Sequence, residues 1–134
     1  MYTHETTVRL YDTDGAGLLF FANHFRIAHT VYEEYLESQG FDIGEVIRQR
    51  EFLIPLVHAE SDYKAAMGVS DRLRVDLTCE SLSEHSFILN FRFIKNGDTE
   101  AARVRTVHVC TDGTATSKLP LPDRLVAALE KIKG

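Results

Sequence analysis

From Asn23 onward the apolar residues recur at helical spacing. Phe25, Ala28, Val31, Tyr32, Tyr35 and Leu36 fall within one arc of roughly 140° at about 100° per residue, with Arg26, Thr30, Glu34 and Glu37 on the other side. Asn23 is a suitable N-cap and Gly40 a suitable C′ residue, so the spacing predicts a helix of about 16 residues. Further on the period drops to two. Leu73, Val75, Leu77 and Cys79 alternate with Arg72, Arg74, Asp76 and Thr78, and Phe87, Leu89, Phe91 and Phe93 with Asn90 and Arg92, which predicts half-buried strands. Asn96-Gly97-Asp98 reads as a turn into a strand over Ala101 to Thr111. Tyr2 to Tyr11, rich in threonine, tyrosine and valine, predicts a first strand that the glycines at 15 and 17 end. Phe52 to Tyr63 predicts another, with Pro55 marking an edge or a bulge. Asp42 to Arg50 suits a short helical turn, and Leu121 to Ile132, with Pro122 near its start, a closing helix.

The order strand, helix, four strands predicts an α+β fold: an antiparallel meander wrapped around one long helix, in a single domain over residues 1–134. Such a sheet keeps an open edge and a poorly covered face, so side-by-side association into a homodimer or homotetramer is expected. The composition, 44% hydrophobic and 26% charged with three prolines and eight glycines, supports a conventional core. A net charge of −5 with 15 scattered basic residues argues against a nucleic-acid partner. Cys79 and Cys110 have no CxxC spacing and read as buried free thiols. The polar opening Met1 to Val8 resembles no signal peptide, and no apolar run reaches the ~20 residues of a membrane span. No membrane association is expected, and the cytoplasm is the default location.

Candidate chemistry centres on Asp12-Thr13-Asp14-Gly15-Ala16-Gly17, just ahead of the long helix. Asp14 could be an ordinary turn former. Gly15 and Gly17, however, allow close approach of backbone to a ligand, and the helix start gathers N–H groups able to hold a developing oxyanion. His58 and His108 lie in strands, either as half-buried histidines bonded to backbone or as polar partners for a ligand in an apolar pocket. Asp14, His24, His58 and His108 are metal-ligand types, but their spacing matches no metal motif, so neither a metal nor another cofactor is expected.

The loop Asp12 to Gly17, the aromatic pair Phe20-Phe21 and the helix that follows resemble the signature of hotdog-fold acyl-CoA thioesterases of the 4-hydroxybenzoyl-CoA thioesterase family, over nearly the whole chain. Within it, Leu53-Ile54-Pro55-Leu56-Val57-His58-Ala59 and His108-Val109-Cys110 look most like the branch acting on 1,4-dihydroxy-2-naphthoyl-CoA in phylloquinone and menaquinone biosynthesis. The resemblance implies an acyl-CoA substrate, with Asp14 as nucleophile or general base and the Phe21 backbone N–H as oxyanion donor. It also implies Gly17, His58 and His108 as substrate contacts. No metal is needed, since the coenzyme A thiolate is a good leaving group. Related short-chain thioesterases carry a histidine where Phe21 stands, which excludes a histidine-assisted mechanism at that position. Another branch uses a helix glutamate, but Glu33 and Glu34 fall at or beyond the edge of the apolar arc. His24 is expected to pack and His29 to sit at the rim. Asp62 and Tyr63 resemble the strand end near the pantetheine tunnel, and Arg72, Arg74, Arg92, Arg103 and Arg105 are candidates for the coenzyme A phosphates. A 4-hydroxybenzoyl or short aliphatic thioester, or non-catalytic acyl-CoA binding, are the alternatives.

Overall fold

In the computed structural model, which describes residues 1–134, the helical stripe becomes α1, Asn23–Ser38. Its buried side follows the stripe, with Ala28, Val31, Tyr32, Tyr35 and Leu36 inside; His24 and Ile27 widen it. Gly40 adopts a φ of +78°, as a C′ glycine should. Asn23 is not the cap. Ala22 occupies that position with helical dihedrals, and the Asn23 side-chain amide instead donates to the Asp12 carbonyl at 2.7 Å, tying the helix start to the preceding loop.

The remaining elements are β1 (Tyr2–Thr7), α2 (Ile43–Gln49), β2 (Leu56–Tyr63), β3 (Arg72–Leu82), β4 (Ser86–Lys95), β5 (Thr99–Val109) and α3 (Asp123–Glu130). The first strand is shorter than expected, because the chain after it tightens into a 3-10 turn at Leu10–Asp12. Strand β2 begins only after Pro55, which has no N–H for a ladder. The strands form one antiparallel sheet in the order β1-β3-β4-β5-β2. The expected meander therefore covers only three strands. Tight turns join β3, β4 and β5, which saturate each other and leave two free edges. β1 takes the edge of β3, and β2 crosses to the far margin to take that of β5.

The alternation places Leu73, Val75, Leu77, Cys79, Phe87, Leu89, Phe91 and Phe93 in the core with α1. Along β2 the same alternation sends Ala59, Ser61 and Tyr63 toward α1, opposite Thr106, Val104 and Ala102, whereas His58 and Glu60 take the outer side. An extra residue, Val57, sits in a bulge between Leu56, paired with His108, and His58, paired with Val107. β2 is exposed along almost its whole length. Both cysteines are buried free thiols. No helix is long and apolar enough to cross a membrane.

Candidate active site

Two aspartates of the loop have opposite fates. Asp12 is buried. Its carboxylate accepts from Arg26 at 2.6 Å and from the Arg9 backbone at 2.8 Å, while its carbonyl receives Phe20 N–H and the Asn23 amide. Asp12 is thus the anchor between the loop and α1. Asp14 is exposed, and one oxygen, Oδ1, accepts from the amides of Ala16 (2.9 Å) and Leu18 (3.3 Å). Oδ2 makes no hydrogen bond within the chain. Gly17 takes a φ of +76°, closing the turn over Asp14, and Leu19 N–H then reaches the Met67 carbonyl at 2.7 Å.

Asp14 and Phe21 share the wall of a cavity of about 380 Å³ with Leu18, Leu19, His24, Tyr63 and Lys64–Met67. Phe21 lies in the turn before α1, and the N–H groups of Phe21 and Ala22 have no acceptor in the chain. They add to the positive end of the α1 dipole. The Phe21 carbonyl accepts the Tyr63 hydroxyl at 2.8 Å and faces His24 Nδ1 at 3.1 Å, so β2 and α1 together fix this turn. His24 is buried with its ring edge-on to Tyr63, centroids 4.6 Å apart, and burial lowers its pKa. Packed as expected, it nonetheless walls the site. His24 and Tyr63 were the contributors hardest to see in the sequence, since only the crossover of β2 brings them together. A larger groove of about 700 Å³ beside β1 has one apolar residue in its lining, unlike an acyl pocket.

The two strand histidines separate. His58 points off the outer sheet face, exposed and 3.3 Å from Glu60, and does not reach the Asp14 cavity. His108 points inward, buried, its ring stacked on Phe87 with centroids 4.8 Å apart. Burial, with the nearby His29, lowers its pKa to about 4. It lines a second, apolar cavity of about 130 Å³ with Phe25, His29, Tyr32, Leu56, Ala59, Phe91 and Thr106. His29 is exposed and 3.4 Å from Glu33, and Glu34 pairs with His4 at 2.6 Å. Four of the five candidate arginines are engaged: Arg74 with Asp76, Arg92 and Arg103 with Glu100, and Arg105 with Glu60 and Glu80, whereas Arg72 makes no ion pair and lines the groove beside β1. No cluster of three or more histidine, cysteine, aspartate or glutamate side chains is arranged to hold a metal ion.

The sequence model of the thioesterase-like superfamily matches residues 8–129. The chain is 34% identical to a 1,4-dihydroxy-2-naphthoyl-CoA hydrolase of Nostoc punctiforme, over 96% of this chain and 86% of that one. The crystal structure of a 1,4-dihydroxy-2-naphthoyl-CoA thioesterase from Synechocystis superimposes with a TM-score of 0.92 at 34% identity, covering 98% of this chain and 96% of the other. A gentisyl-coenzyme A thioesterase superimposes at 0.83 with 26% identity, covering 96% and 99%. With the match spanning its sheet, its central helix and the Asp14 loop, the chain belongs to the thioesterase-like superfamily and is a hotdog-fold thioester hydrolase.

Proposed function

We propose that this enzyme hydrolyses aromatic acyl-CoA thioesters, with 1,4-dihydroxy-2-naphthoyl-CoA as its substrate and Asp14 as the catalytic carboxylate. The observation that supports the mechanism is that one cavity wall holds both Asp14, whose Oδ2 makes no hydrogen bond within the chain, and Phe21, whose N–H is unpaired. The thioester carbonyl oxygen would accept from that amide, assisted by the helix dipole, as negative charge develops on it. Asp14 acts in one of two ways. Its oxygen attacks the carbonyl carbon, expelling the coenzyme A thiolate and leaving an acyl anhydride that water hydrolyses; or it takes a proton from the water that attacks. Gly17 shapes the loop that receives the thioester. The substrate assignment is supported by the likeness to the Nostoc punctiforme and Synechocystis enzymes and by the apolar walls of the inner cavity. The gentisyl-coenzyme A thioesterase supports a second substrate, since both names describe an arene with two hydroxyls para to each other and the carbonyl beside one of them. The exposed β2 edge supports assembly as a homodimer or homotetramer.

Steady-state comparison of the 1,4-dihydroxy-2-naphthoyl, gentisyl, 4-hydroxybenzoyl, benzoyl and short aliphatic thioesters tests the substrate. A preference for aliphatic chains overturns it. Asp14→Asn keeps an oxygen to accept the Ala16 and Leu18 amides, so the loop should hold while kcat falls by about 10²-fold or more. Equal rates for variant and wild type would remove Asp14 from the mechanism.

A further inference from the structure

Four buried side-chain polar atoms have no hydrogen-bond partner: Tyr32 Oη, Ser61 Oγ, His85 Nδ1 and His108 Nδ1. His85 lies in the β3–β4 turn, whereas the other three belong to the layer between α1 and the β2–β5 margin. Orphaned buried polar atoms are uncommon and cost stability, and three in one layer point to a polar ligand group that would satisfy them.

The surroundings say what kind of group. Phe25, Leu56, Ala59 and Phe91 give the inner cavity apolar walls, and its volume of about 130 Å³ is close to the ~150 Å³ of an apolar cavity that takes up benzene. It admits one six-membered ring, and so one ring of a fused naphthoyl pair. His108 Nε2 is 3.0 Å from Thr106 Oγ1, and Phe87 stacks on the ring, so its orientation is held. In the tautomer whose Nε2–H donates to Thr106, Nδ1 offers a lone pair. Tyr32, its ring centroid 4.8 Å from that of His108, offers an O–H. A ring hydroxyl can donate to the first and accept from the second. The low pKa of His108 keeps the imidazole neutral in neutral solution, consistent with such a pair.

The cavity also lies in the right direction from Asp14. Tyr63, on the wall of the Asp14 cavity, and Ala59, on the wall of the inner one, are four residues apart on the same side of β2, about 13 Å. Ser61 stands between them, and on α1 Phe25 directly follows His24. We propose that Tyr32 and His108 are specificity-determining residues that read a hydroxyl on the aromatic acyl group, with Ser61 contacting that group on its way in. This rests on the aromatic-thioester function above and adds to it the groups that select a hydroxylated ring.

The test is the ratio of kcat/KM for 1,4-dihydroxy-2-naphthoyl-CoA over 2-naphthoyl-CoA, measured for wild type, Tyr32→Phe and Ser61→Ala. Intrinsic differences in thioester reactivity cancel between variants. Tyr32→Phe should lower the ratio about tenfold or more and melt no lower, because it removes an orphaned hydroxyl. Ser61→Ala should lower the ratio in the same direction. If wild type hydrolyses both thioesters and neither variant moves the ratio, the hydroxyl-reading role is wrong and the thioesterase function stands. If wild type hydrolyses neither, the function itself fails. Thermal shift of the wild-type protein supplies a check independent of folding in the variants: 1,4-dihydroxy-2-naphthoate should raise Tm more than 2-naphthoate does, and equal shifts overturn the proposal.

Discussion

Asp12 and Asp14 show how two identical residues, two positions apart, take opposite places, one buried as an anchor and one exposed at a cavity. Burial and the Arg26 contact make Asp12 part of the scaffold, so Asp12→Ala should destabilise the fold by about 2 kcal/mol, measurable by urea unfolding. Asp14→Asn should shift the unfolding midpoint little, since its exposed turn keeps both amide contacts. At His108 the burial that lowers the pKa also has a pH signature. Relative to the ordinary value of 6.5, a folded value of about 4 favours folding fully above pH 6.5. As the pH falls toward 4 the unfolded chain gains a proton that the folded one refuses, and about 3 kcal/mol is lost. Glu100, held at about 2 chiefly by Arg103, and Asp112, held at about 2 chiefly by the Thr114 hydroxyl, act lower: their contributions are lost as the pH falls from about 4 to 2. Stability curves should therefore show an upper acid limb that His108→Gln flattens and a lower one that it leaves. A single limb unaffected by that change would contradict the assignment.

At the scale of elements, β2 carries the most consequence. It is both a wall of the Asp14 cavity, through Tyr63, and an exposed edge with apolar Leu56 and Val57 on display. If copies of the chain pair along this edge, amide hydrogen exchange in β2 should be slow at high protein concentration and accelerate on dilution, in step with the sedimentation coefficient. Fast exchange at every concentration would mean that the edge stays open. The elements that were legible in the sequence are those whose pattern is intrinsic to a segment. The α1 stripe, the β3 and β4 alternations and the Gly40 stop each encode their own burial. What was not legible depended on pairing partners: the place of β2 at the far margin, the late start of that strand, and the displacement of Asn23 from cap to tether by the Asp12 carbonyl. The site divided along the same line. Asp14 and the Phe21 turn are contiguous in the chain and could be found together. By contrast, His58 and His108 share a strand setting and a family resemblance in the sequence, and only the strand register separates them onto opposite sheet faces.

For the whole molecule, one sheet face is committed to α1 and to both cavities, while the other is covered by ion pairs among Arg92, Arg103, Arg105, Glu60, Glu80 and Glu100. Arginines already matched to carboxylates make a poor phosphate cradle, so the anionic end of coenzyme A is expected away from these three. The Asp14 cavity opens beside Lys64, itself 3.0 Å from Glu100. The bulge at Val57 gives this arrangement a further property. Because Leu56 remains opposite His108 on one side of the extra residue and the regular alternation resumes at His58 on the other, chain length can change at that point without turning any later side chain of β2 to the other face. Loss or gain of a residue at Val57 would reshape the inner cavity lined by Leu56 and leave the Asp14 end alone. Enzymes that share the Asp14 loop but take different acyl groups should accordingly differ in length at this position more readily than anywhere else along the strand.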